Sequence, residues 1–107
     1  MADHAVERLH RAVLSRRGHP ASTSRTAKLL AAGRAKMAQK LGEEAVEVAI
    51  DAAKNDRGAV IAESADLLYQ LVVLWAEMEI EPRQVWAEME RREKLFGIAE
   101  KVPKDAG

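Results

Sequence analysis

The chain contains no cysteine in its 107 residues and only four large aromatic side chains: two Trp, one Tyr and one Phe. Without cysteine there are no disulfides, no thiolate metal sites and no cysteine nucleophile, and a reducing cytoplasm is the default compartment. Net charge is also missing. The 17 basic and 17 acidic side chains cancel to a formal +0, which argues against a nucleic-acid coat or a membrane-surface binder. The N-terminus has no apolar signal-peptide core. The apolar run from Leu67 to Ala76 is interrupted by Tyr69 and Gln70 and is too short to span a bilayer. Strand-type alternation is lacking too, so the chain reads as all-α. At 11.8 kDa it is expected to form a single domain over 1–107, small enough for oligomerisation to add to its stability.

What is abundant is Ala, Leu, Glu, Lys and Arg, arranged with helical periodicity. The pattern predicts a bundle of four to five helices. The first, over 3–17, carries Val6, Leu9 and Val13 on one face and ends at Gly18-His19-Pro20. A short helix follows a loop at 21–24, with Ser22, Thr23 or Ser24 as N-cap, runs through Leu29 and Leu30, and is closed by Gly33. A long helix spans 34–54, Asn55-Asp56-Arg57-Gly58 form a turn, and an apolar helix spans 59–79. Pro82 opens a last helix that buries Val85, Trp86 and Met89 and fades near Phe96-Gly97. The segment 98–107 is expected to be a loose tail.

Two acidic clusters stand out. The long helix holds Glu43, Glu44 and Glu47; fifteen residues separate them from Glu63 and Asp66, which lie in a stretch with no Lys or Arg from Ala59 to Pro82. Lys36, Lys40, Glu43, Glu44, Glu47, Asp51 and Lys54 share one sector of the long helix, which by itself reads equally well as a solvated ion-pair face. The following helix is apolar all round, which belongs in the middle of a bundle or an oligomer, so Glu63 and Asp66 are not expected on a free surface. Carboxylates in such a place take up protons, pair with a base or bind a cation. Antiparallel packing through a short turn sets Glu63 and Asp66 opposite Glu47 and Glu44. Oxygen-only coordination suits Mg²⁺, with Mn²⁺ as a substitute, and Mg²⁺ commonly completes its shell with substrate phosphate. Without metal the crowded carboxylates should titrate together, some with raised pKa values. A di-iron bundle would need Glu-x-x-His pairs, which are lacking; His4, His10 and His19 are expected at the surface.

The string Lys40-Leu41-Gly42-Glu43-Glu44-Ala45-Val46-Glu47, followed by Glu63-Ser64-Ala65-Asp66-Leu67-Leu68-Tyr69, resembles the phosphoribosyl-ATP pyrophosphohydrolases of histidine biosynthesis, within the MazG-like all-α nucleotide pyrophosphohydrolases. Thr26-Ala27-Lys28-Leu29-Leu30 and the Gly97, Glu100, Lys101 pattern extend the similarity over most of the chain. The resemblance implies a MazG-like bundle with its metal site between two central antiparallel helices. It implies Glu44, Glu47, Glu63 and Asp66 as metal ligands, with Glu43 a further ligand or an orienter of the attacking water. It also implies hydrolysis of the α–β phosphate bond of phosphoribosyl-ATP to phosphoribosyl-AMP and pyrophosphate. Metal would activate the water, a carboxylate of the set would accept its proton, and Lys36, Lys40, Arg25 and Lys28 are candidate phosphate contacts. Tyr69 is a candidate substrate contact whose buried hydroxyl needs a partner in any case. Arg25 and Gln70 depart from the family pattern, which has an aromatic and a His there, so a related hydrolase of another nucleoside triphosphate is the alternative. A non-catalytic helical binding module is a further one. The second apolar stripe, Val46, Ile50 and Ala53, together with Trp75 and Trp86, exceeds what one thin bundle covers and predicts a homodimer with sites near the interface.

Overall fold

The computed structural model describes residues 4–96. The expected tail over 98–107 and the Gly97, Glu100, Lys101 pattern lie outside the described residues. Five α-helices follow one another: α1 (Ala5–Leu14), α2 (Arg25–Ala32), α3 (Arg34–Ala53), α4 (Arg57–Glu77) and α5 (Pro82–Phe96), with a short 3₁₀ turn, Ala21–Thr23, before α2. Among the described residues there is no strand.

Local chemistry sets the boundaries. Ser24 caps α2, its hydroxyl accepting from the Ala27 amide at 3.0 Å. Gly33 separates α2 from α3 with φ 98, a left-handed backbone that glycine adopts without the Cβ clash other residues suffer. Asp56, which the sequence assigns to a turn, is the N-cap of α4: its carboxylate accepts from the Ala59 amide at 3.1 Å. Helix α4 therefore starts two residues earlier than its expected start at 59. Asn55, at φ 58, takes the tight reversal between α3 and α4.

Helices α3 and α4 form an antiparallel hairpin that organises everything else. Its far end is tied by Arg34 to Glu77 at 3.8 Å. The core sits toward that end, where Val72, Val73, Trp75 and Ala76 of α4 pack with Met37 of α3, Leu29 of α2 and Val13 of α1. By length and hydropathy alone α4 could cross a bilayer, a property shared by many core helices. Here its buried half packs against α1, α2 and α3.

Two expectations about α1 and α5 are corrected. His10 is buried, and its Nε2–H donates to the Ile80 carbonyl at 3.1 Å, joining α1 to the α4–α5 turn. The signal was present in its spacing, since Val6, His10 and Val13 share a helical stripe. Met89 is 59 % exposed. Helix α5 meets the bundle through Val85 and Trp86 near its start, and its second half carries its own ion pairs instead. There Glu88 accepts from Arg91 at 2.9 Å and Arg92 at 2.8 Å, which together hold its carboxyl at about 2. That lowered value adds to stability above the ordinary carboxylate range, and the contribution is lost as pH falls toward about 2.

The α1–α5 contact is anchored by Trp86, whose Nε1–H donates to Glu7 at 2.6 Å and whose ring meets Trp75 edge-on at 6.1 Å. Trp86→Phe keeps a smaller aromatic ring and removes the donor to a partly buried carboxylate. It should cost about 1–2 kcal/mol in urea unfolding. An unchanged midpoint would show that water replaces the indole without penalty.

Candidate metal and nucleotide site

Counted outward from Asn55, Glu47 and Glu63 each lie eight residues away, and Glu44 and Asp66 eleven. The antiparallel hairpin therefore sets these carboxylates face to face. Glu44, Glu63 and Asp66 bring one carboxylate oxygen each to within 4.8 Å of one another. Glu47, Asp51 and Glu63 form a second group under the same 4.8 Å limit. Glu63 belongs to both. The four carboxylates expected as ligands are thus divided between two neighbouring groups.

Asp51 completes the second group and was not among the expected ligands. Its signal is one helical turn: it follows Glu47 by four residues on the same face of α3. Glu43 joins neither group; its carboxylate accepts from the Gln39 side chain at 3.0 Å on the exposed side of α3. The expected burial of the α4 pair is also corrected, because Glu63 is half-buried and Asp66 exposed. Both lie in the half of α4 nearer the hairpin turn, before the buried core residues Val72, Val73, Trp75 and Ala76.

The electrostatics of the cluster are those of an unneutralised anion site. Glu63 has its carboxyl held above the ordinary 4.5 by a hydrogen bond with Glu44, then by partial burial and by the charges of Glu44, Asp66 and Asp51. That hydrogen bond needs a proton on one of the two carboxyls. With both ionised, Glu44 Oε2 is buried and without a partner. An oxygen-only donor set with an orphaned buried oxygen and a carboxyl that resists ionisation is what a hard divalent cation relieves.

Two clefts open beside these carboxylates. One, of about 460 Å³, is lined by Arg25, Thr26, Glu44, Asp66, Tyr69 and Gln70 among others. The other, of about 210 Å³, gathers Arg25, Lys28, Lys36 and Lys40 against Tyr69 and Gln70. All four expected phosphate contacts thus line one cleft. Helix α2 supplies the first two and α3 the others, each pair spaced to share a helical face. Arg25, Tyr69 and Gln70 line both clefts and form the wall between them. The Tyr69 hydroxyl has the partner it needs in Thr26 Oγ1, at 2.6 Å.

The sequence resemblance to the all-α nucleotide pyrophosphohydrolases implies carboxylates on two central antiparallel helices, and this hairpin carries two groups of them with a basic cleft alongside. The family model described as phosphoribosyl-ATP pyrophosphohydrolase matches residues 6–93, and the chain belongs to that family. Similar proteins include phosphoribosyl-ATP pyrophosphatase 2 of Rhodopseudomonas palustris, 60 % identical over 97 % of this chain and 79 % of the relative. The protein of the same name from Bradyrhizobium diazoefficiens is 57 % identical over 95 % of this chain and 76 % of its own. Phosphoribosyl-ATP pyrophosphatase of Azospirillum brasilense is 52 % identical over 90 % and 86 %.

Proposed function

We propose that this chain hydrolyses the α–β phosphate bond of phosphoribosyl-ATP, releasing pyrophosphate and leaving phosphoribosyl-AMP as a step of histidine biosynthesis, in keeping with relatives named as phosphoribosyl-ATP pyrophosphatases. The observation that carries the reading is the convergence of Glu44, Glu63 and Asp66 next to a cleft lined by four cationic side chains. Those three carboxylates, and Glu47 and Asp51 with the shared Glu63, are the residues that would hold Mg²⁺. Bound there, the ion would neutralise phosphate oxygens and lower the pKa of a water.

The protein's own groups do the rest. Glu44 or Glu47 takes the proton of the attacking water as the new P–O bond forms, and the bridging oxygen leaves with pyrophosphate and its electron pair. The cationic cleft alongside draws the anionic substrate to the site. Tyr69, held by Thr26, fixes α2 against α4 so that Arg25 faces both clefts. Glu43, bonded to Gln39, stays outside both groups.

Pyrophosphate release from phosphoribosyl-ATP, measured with Mg²⁺ and with excess chelator, tests this directly. Turnover that requires the ion is expected. Turnover of other nucleoside triphosphates but not phosphoribosyl-ATP would transfer the same chemistry to the alternative substrate class.

Proton linkage gives a second test of the metal centre. Because the folded pKa of Glu63 is raised, its contribution to the metal-free fold is present below the ordinary 4.5 and is lost as pH rises through the raised value. Metal must displace that proton, so Mg²⁺ affinity should rise with pH across the same window, with proton release below it. Calorimetry in buffers of different ionisation heat reads both quantities. Affinity that does not change with pH above the ordinary carboxylate range would remove Glu63 from the ligand set.

The functional unit is a homodimer in this reading. Val46, Ala49, Ile50 and Ala53 form an exposed stripe on α3, and Ile61, Ala65 and Leu68 form another on α4. Two such stripes on the central hairpin are suited to packing against a second copy of themselves. Glu47 and Asp66 flank them, so each carboxylate cluster would lie beside the interface.

A further inference from the structure

Gln70 is 4 % exposed, stands in the wall shared by the two clefts, and has its side-chain Oε1 buried without a hydrogen-bond partner among the described residues. An unpaired buried amide oxygen costs stability, and an apolar side chain of similar size would avoid that cost. Such a group is understandable where a bound molecule supplies the missing partner. Its surroundings narrow what that molecule offers. The smaller cleft places Arg25, Lys28, Lys36 and Lys40 around Gln70 and has no carboxylate in its lining, whereas the larger one includes Glu44 and Asp66.

We propose that the basic cleft is a second anion subsite that receives the ribose-monophosphate arm of the substrate, with Gln70 hydrogen-bonded to a sugar hydroxyl and Arg25 to the monophosphate. This rests on the activity proposed above and adds to it the means of telling this nucleotide from simpler ones. Phosphoribosyl-ATP is anionic at two ends, a triphosphate and the lone phosphate of its second ribose. The triphosphate end belongs at the carboxylate groups, where a divalent ion can stand between like charges. The monophosphate would be repelled there and is attracted to a cleft whose charge comes from side chains. A guanidinium offers that phosphate paired donors, and the three lysines add point charges.

Gln70 separates a sugar from a phosphate as its nearest neighbour. A hydroxyl both donates and accepts, so it satisfies either atom of the amide; a fully ionised phosphate oxygen only accepts and is repelled by Oε1. Arg25 lines the basic cleft together with Gln70, so one nucleotide arm can meet both side chains.

Calorimetric binding of AMP and of phosphoribosyl-AMP to the wild-type protein, Gln70→Met and Arg25→Met tests the subsite. Wild type should prefer phosphoribosyl-AMP by at least about tenfold, the worth of a good polar contact. Gln70→Met should lose most of that preference while its melting temperature rises, a combination that a purely structural glutamine would not give. Arg25 is exposed, so Arg25→Met keeps the fold and should lose the preference as well. Equal wild-type affinity for the two nucleotides overturns the proposal. So does a Gln70→Met variant that weakens both equally, since Gln70 would then serve the shared AMP portion. Wild-type protein that binds phosphoribosyl-AMP selectively yet releases no pyrophosphate from phosphoribosyl-ATP would refute the catalytic reading and leave the subsite standing.

Discussion

Glu63→Gln is expected to lower metal-supported pyrophosphate release by on the order of a thousandfold, while the helical fold is kept. The size of the effect follows from position. Glu63 is the one residue common to both carboxylate groups, so its loss removes a ligand atom from each. Glutamine matches the shape of the side chain and keeps a carbonyl oxygen, which leaves charge as the main change. Stability should move the other way. The raised carboxyl of Glu63 marks a site where ionisation is opposed by Glu44, Asp66 and Asp51, so removing the charge relieves repulsion in the metal-free protein at neutral pH. The variant should therefore melt higher than wild type without metal, and the difference should shrink when Mg²⁺ is added, since only wild type gains from the ion. Glu43→Gln is the comparison. Its carboxylate is bonded to Gln39 outside both groups, and its loss of activity should be at least about tenfold smaller than that of Glu63→Gln. A Glu63→Gln enzyme that retains a tenth or more of wild-type turnover would place the chemistry elsewhere.

Much of this site can be read from the sequence because helices translate spacing into direction. The i,i+3 pairs Glu44/Glu47 and Glu63/Asp66 each define a face, and the turn residues around Asn55 fold one face onto the other. The family membership that the acidic pattern suggests is likewise what the matched region of the chain bears out. Helix α3 runs over Arg34–Ala53 against an expected 34–54, for the same reason: Gly33 and Asn55 bracket it with backbone that a helix does not use.

What the sequence conceals depends on register and on how far the bundle extends. Asp51 looks like one more surface acid until the hairpin places it by Glu63, and that depends on Asp56 capping α4 instead of lengthening the turn. Glu63 and Asp66 look buried because their sequence neighbours are apolar. Yet Ile61 and Leu68 are themselves 63 % and 46 % exposed, so apolar surroundings along the chain did not mean enclosure within one copy. Met89 misleads in the same way, since α5 leaves the bundle soon after Trp86. Gln70 is opaque from sequence for a different reason: only the cleft geometry reveals that its amide is buried and unpartnered.

Ile61→Glu is expected to convert the proposed homodimer to a monomer, measured by sedimentation or by light scattering after gel filtration at micromolar protein. Ile61 is 63 % exposed in the single chain, so a glutamate there costs the isolated fold little. In a twofold dimer the substitution enters the interface twice. Each copy would bring a carboxylate into the apolar contact, where Arg57, one turn earlier on α4, offsets only part of a penalty of several kcal/mol per charge, and the dissociation constant should rise by orders of magnitude. Val46, 57 % exposed on α3, provides an independent position, and Val46→Glu should act in the same direction if both stripes face the partner. The two functional consequences can be separated. Glu47 and Asp66 flank the stripes, so a monomer whose helices shift there would lose metal affinity along with association. A monomer with full metal affinity would mean that the hairpin alone holds the carboxylates in place. Dimers that persist in both variants would instead put the interface on another surface, with Leu14, Met78, Met89 and Leu95 the large exposed apolar residues left among the described ones to supply it.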